Sequence, residues 1–156
     1  MKAKFEIISK IEDLEDINKI VYKKIKGINK YIISKLLYVI YDGDFEIVKK
    51  VISEIYTNKI KDEILNGENE NFKKAKKIID VFLKEDLKNN EWEYTKKYVY
   101  DLLKKLNKNK SELTTIKMIR SGTRYYLFGN RKEVNINDFI NFGPINPLIN
   151  NWFIIK

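Results

Sequence analysis

The side chains best equipped for chemistry lie between Tyr94 and Arg131, and that chemistry is recognition of a polyanion. All three arginines of the chain, Arg120, Arg124 and Arg131, fall in the second half of this span, beside Tyr125, Tyr126 and Phe128. A guanidinium presents a planar fork of donors that suits a phosphate or a narrow minor groove. Upstream, Tyr94, Lys97 and Lys104 share one helical face with Asp101, so two cations and a tyrosine approach a polyanion together. Asp101 would face like charge there unless Lys97 or Lys104 neutralises it at helical spacing.

These side chains need two kinds of element to position them. From Asn90, read as an N-cap, the apolar residues Trp92, Val99, Leu102, Leu103 and Leu106 recur at the three-and-four spacing of a buried helical face. After a break at Asn107 to Lys110, the β-branched run Thr114 to Ile119 reads as a strand. Ser121-Gly122 then reads as a tight turn and Thr123 to Phe128 as the returning strand. That hairpin would set Arg120 and Arg124 side by side at its tip. A competing reading has Ser111 cap a short helix through Arg120, with Gly122 as its stop.

A helix running into a basic, arginine-tipped hairpin over residues 94–128 resembles the winged helix-turn-helix family of DNA-binding domains. The resemblance implies a recognition helix in the major groove and a wing on the adjacent backbone or minor groove. It assigns Arg120, Arg124 and Arg131 to the wing, Lys97 and Lys104 to the groove, and Tyr94 to a sugar or phosphate. The implied partner is nucleic acid, with double-stranded DNA favoured.

Catalysis finds little footing. The chain has no histidine and no cysteine, which removes the usual general base at neutral pH, the thiolate nucleophile and the common zinc ligands. Asp42 and Asp44 flank Gly43 and invite a divalent ion, but capping of the next helix is the better account. Glu91 and Glu93 at the next helix start take the same explanation. The glycines are isolated, so there is no phosphate loop. The expectation is a protein with no enzymatic activity, no catalytic residues, no metal and no cofactor.

Length and composition set the scale. The 156 residues suit one compact domain, with 44% hydrophobic and 34% charged residues. No long uncharged apolar run offers a membrane span, and the acids Glu6, Glu12 and Asp13 do not suit a secretory signal, so the expected location is intracellular, in the cytoplasm. Lys, Ile and Asn are abundant and Gln is absent, as in the product of a small AT-rich genome or mobile element. Such coding bias weakens the formal net charge of +9 as a signal, and only clustering counts. Val21 to Ile40 contains Lys23, Lys24, Lys26, Lys30 and Lys35 with no acid, and Asp101 to Lys132 carries nine cations against two acids.

The expected fold is mainly α: a compact helical domain with about five helices and one small C-terminal hairpin. Residues 1–88 form its helical bundle, 89–136 the helix with the basic hairpin, and 137–156 an apolar tail. Within the bundle, helices are read over Ile11 to Ile25, Tyr31 to Tyr41, the stretch after an Asp44 cap, and Phe72 to Glu85. Asn137 is read as capping a short turn through Phe142. The tail carries Pro144 and Pro147 and ends in Trp152, Phe153, Ile154 and Ile155, which pack on the core or form a homodimer. Two functions stand: a nucleic-acid-binding regulator or replication accessory, and an interaction or inhibitor protein whose basic face binds an acidic protein surface.

Overall fold

The computed structural model describes residues 1–10, 28, 30–85, 87, 90–129, 137, 140 and 145–156. Six strands, β1 (Lys2–Ser9), β2 (Lys30–Asp42), β3 (Asp62–Leu65), β4 (Lys77–Leu83), β5 (Thr115–Phe128) and β6 (Asn150–Ile154), form one sheet in the order β3-β1-β2-β5-β4-β6. Every pairing is antiparallel. The described helices are α1 (Phe45–Tyr56), α2 (Glu70–Lys74) and α3 (Asn90–Leu106). Among them none is long and apolar enough to cross a membrane.

The mainly helical expectation is therefore overturned, and three segments account for it. Tyr31 to Tyr41 is the body of β2, where isoleucine, valine and tyrosine suit a pleated surface better than a buried helix. Phe72 to Glu85 divides into the short α2 and the central strand β4, whose Ile78, Ile79, Asp80, Val81 and Phe82 are all buried. A strand covered on both faces reads as a continuous apolar run, so its period of two is invisible. Thr115 to Phe128 is one strand of 14 residues, neither the hairpin nor the competing helix. The Ile11 to Ile25 helix and most of the Asn137 to Phe142 turn fall outside the described residues.

The spine of the sheet is the pair β2 and β5, in register from Lys30 opposite Phe128 to Asp42 opposite Thr115, with one irregularity at Ile40/Tyr41. Gly122 lies in the middle of β5 and is not among the glycines with positive φ. Its role is space. The Phe82 ring lies across the strand at this point, and a Cβ on Gly122 would collide with it.

Alternation divides the side chains between two faces. Phe5, Leu37, Val39 and Ile119 lie on one face, where Val48 and Ile52 of α1 and Trp92, Val99 and Leu103 of α3 cover them. Those α3 positions are among the apolar face read from the sequence. The Asp44 cap also holds: its carboxylate accepts from Glu46 N at 2.9 Å, while Gly43 makes the turn at φ 112°. Toward the far end of the same face, Tyr31, Ile79, Val81, Tyr125 and Leu127 pack with Ile28 and Ile145. On the opposite face α2 covers Ile78 and Tyr126 through Phe72 and Ala75. Among the described residues no helix covers the remainder of that face.

Two outcomes follow from this packing. Gly122→Ala is expected to displace Phe82 and lower stability by about 1–3 kcal/mol, the usual cost of overpacking, in urea denaturation. Tyr125 is pushed up to about 12 by burial, with Tyr31 adding to the effect. A phenol raised above its ordinary 10.0 contributes stability that is complete below pH 10 and lost as pH rises through 12. Between pH 10 and 12, Tyr125→Phe should lose less stability than the natural protein in alkaline denaturation.

Candidate functional site

The structure separates the six side chains that the sequence groups together. Tyr94, Lys97 and Lys104 lie on the exposed side of α3, and Tyr94 is 84% exposed. Arg120 and Arg124 stand four residues apart on β5, on the sheet face that α3 does not cover. Arg131 falls outside the described residues. No hairpin tip brings the arginines together, because Thr115–Phe128 is one continuous strand, so Arg120 and Arg124 form no wing.

Arg124 is a core residue. Its Nε and Nη2 donate to the two oxygens of Asp80 at 2.7 and 2.9 Å, and Nη1 donates to Glu6 Oε1 at 3.3 Å. Glu6 Oε2 accepts from Ser34 Oγ at 2.5 Å and from the Tyr126 hydroxyl. Lys4 Nζ donates to Asp80 Oδ2 at 3.1 Å. Asn69 closes the cluster from above, its Nδ2 donating to Tyr126 Oη at 3.1 Å while its Oδ1 caps α2. Burial opposes the charge on Arg124, yet hydrogen bonding and attraction from Asp80, with Tyr126 and Glu6 adding, raise its pKa above the ordinary arginine value. Its side chain is 7% exposed and that of Asp80 1%, so a polyanion has no access to it.

The accessible chemistry lies beside this cluster, on the open part of the same face. Register places Tyr38 of β2 directly between Lys4 of β1 and Arg120 of β5, with Ile40 between Lys2 and Met118 in the next row. The Phe82 ring crosses Gly122 to reach Tyr38, at a centroid distance of 5.0 Å, and meets Phe153 of β6 on its other side at 6.3 Å. Three aromatic rings thus run across the sheet. Tyr38 and Phe153 are 37% and 55% exposed, whereas Phe82 is buried beneath them. The Lys4 ammonium lies 5.3 Å from the Tyr38 ring centroid. Arg120 is held by the Leu83 carbonyl and by the exposed Glu85 at 3.1 Å. Ile40 and Met118 extend the exposed apolar surface.

Arg120 and Phe153 are the residues of this surface that the sequence singles out, Phe153 only as part of the apolar tail. Lys4 and Tyr38 go unnoticed as surface residues, although KAKFEI alternates strictly and marks β1 as a half-buried strand. The aromatic row itself has no sequence signature, because its rings come from three strands far apart in the chain.

On the helical face, a shallow cleft of about 450 Å³ opens between the start of α3 and the sheet, lined by Lys35, Glu91, Ser121 and Thr123 among others. Lys35 and Glu91 form an ion pair at 2.5 Å, and the Lys35 ammonium also lies 5.6 Å from the Tyr56 ring centroid. The ion pair ties the first turn of α3 to β2, and the ring contact ties β2 to the end of α1. No protein-family model matches the chain, and no curated protein is similar enough to it to mark a relative.

Replacing Arg124 by alanine would leave Asp80 and Glu6 as buried carboxylates without their main partner. The expected cost is about 3–5 kcal/mol of folding stability, the range for one partner removed from a buried pair. Thermal melting checks it: an unchanged melting temperature would mean that Arg124 is not structural.

Proposed function

We propose that this chain binds single-stranded nucleic acid on the open sheet face, with Tyr38 and Phe153 stacking on bases and Lys2, Lys4 and Arg120 meeting phosphates. The observation that carries the reading is the aromatic row Tyr38, Phe82 and Phe153 with cations set on either side of Tyr38 in cross-strand register. Monomeric proteins seldom leave aromatic rings on a contiguous open face without a partner for them. Unpaired bases present free π-faces to such rings, whereas a duplex encloses its own, so the face suits a single strand better than double-stranded DNA. Aromatic stacking accepts any base, which makes the proposed binding tolerant of sequence.

A labelled single-stranded oligonucleotide in a fluorescence anisotropy titration tests the reading. Tyr38→Ala and Phe153→Ala should each weaken binding by about 1–3 kcal/mol, the scale for loss of one stacked base. Phe153 is 55% exposed, so its variant should melt close to the natural protein, whereas Tyr38→Ala also uncovers Phe82 and should melt somewhat lower. With three cations on the face, log K against log salt should fall with a slope of roughly −2. Affinity unaltered in both variants would sink the proposal.

The second reading is an acidic protein partner, and one observation favours it. The outer side of α3 exposes Tyr94 and Tyr98 at 84% and 64%, among Lys97, Lys104 and Lys105. Tyrosine and neighbouring charge are suited to a protein hot spot. If an acidic polypeptide such as poly-glutamate binds, and Tyr94, Lys97 and Lys104 variants abolish that binding while Tyr38→Ala does not, the second reading holds and the interface belongs to α3.

A further inference from the structure

We propose that two copies of this chain join through β6, edge to edge and antiparallel, into one continuous sheet. Among the described strands β6 is terminal and paired on one side only, with β4. Ile155 N donates to the Ile78 carbonyl at 2.8 Å, and the Ile149 carbonyl accepts from Lys84 N at 2.9 Å. Within β6 the odd-numbered residues therefore turn their backbone groups toward β4, and the alternation ends past the strand, where the Lys156 carbonyl accepts from Ile78 N at 3.3 Å. By alternation, Trp152 and Ile154 turn theirs outward, in the plane of the sheet, where another strand can pair.

The two ends of the sheet differ in their protection. β3, at the opposite end, carries Asp62 and Glu63 beside Lys59 and Lys61, and charged side chains on an edge discourage further pairing. β6 has no such device. From Ile145 to Ile155 no residue is charged, and Phe153, Ile154 and Ile155 are 55%, 52% and 40% exposed.

Charge also selects the occupant. Two copies of a chain with net charge +9 repel across their lysine-rich surfaces, and an uncharged apolar strand is where that repulsion is weakest and apolar burial is available. An acidic partner would be drawn to the lysines instead. Antiparallel pairing centred on Trp152 is self-complementary, since it sets Asn150 of each copy opposite Ile154 of the other and closes with two-fold symmetry. The two-fold axis stands perpendicular to the sheet, so both Phe153 rings fall on the same side and the two aromatic rows become one. That last consequence rests on the proposed function, whereas the dimer itself does not.

Sedimentation velocity of the full chain without nucleic acid, over a wide concentration range, tests the dimer independently of any ligand. The natural protein should sediment as a dimer that dissociates on dilution. Ile154→Lys adds a charge on the edge, and Ile154→Pro removes an outward N–H that the single copy does not use. Both should remain monomeric with the far-ultraviolet circular dichroism of the natural protein, while Glu63→Lys on β3 should still dimerise. Hydrogen exchange of the natural protein gives a readout that needs no variant: the Trp152 and Ile154 amides should be protected at high concentration and exchange freely at low. A monomer at every concentration overturns the proposal, as does a dimer that survives in both Ile154 variants, or amide protection that ignores concentration.

Discussion

The constraint on which the rest of this structure depends is the buried ionic cluster around Arg124. It draws together Glu6 of β1, Ser34 of β2, Asp80 of β4, and Arg124 with Tyr126 of β5, so four adjacent strands meet at one point. Two cations, Arg124 and Lys4, face two carboxylates, and removing any one of these charges leaves a partner in a site that water does not reach. A strand slipped by one residue would send its member of the cluster to the opposite face. The cluster therefore enforces register as well as cohesion. Asn69 extends it to the loop before α2, which places that loop over this half of the sheet.

The division of labour between the two faces follows. On the helical face α1 and α3 cover the sheet, and their apolar positions make the larger core. On the other face the charged cluster and α2 fill one half, and the aromatic row marks the open half. Gly122 joins the two halves: without a Cβ between Arg120 and Arg124, Phe82 lies over β5 and reaches Tyr38. A side chain at 122 would break the row at its centre. One small residue thus decides whether this face carries a continuous apolar band or separate rings.

Much of the helical half of the molecule is legible in the chain. The Asp44 cap, the Val48, Val51 and Ile52 stripe, and the Trp92, Val99 and Leu103 stripe are local patterns that satisfy nearby backbone and bury one helical side, so neighbouring residues suffice to reveal them. The strands are harder. β2 reads as an apolar run because Leu36 and Leu37 are both fully buried, one on each face, and β4 reads likewise because both its faces are covered. Gly122 misleads most, since a glycine after serine in a β-branched context signals a turn when only its backbone freedom is considered. Its reason here is a ring from another strand.

The sequence by itself determined the basic charge, the absence of histidine and cysteine, the two long amphipathic helices and the Asp44 cap, because composition and contacts between near neighbours carry them. Only the tertiary structure decided which cations are available. Arg124 and Arg120 look alike in the chain, four residues apart on one strand, yet one is locked to Asp80 and Glu6 in the interior and the other lies at the rim of an open face. Their fates depend on partners 44 and 118 residues away for Arg124, and on Leu83, 37 residues away, for Arg120. Strand pairing brings such partners together over separations that no local pattern records.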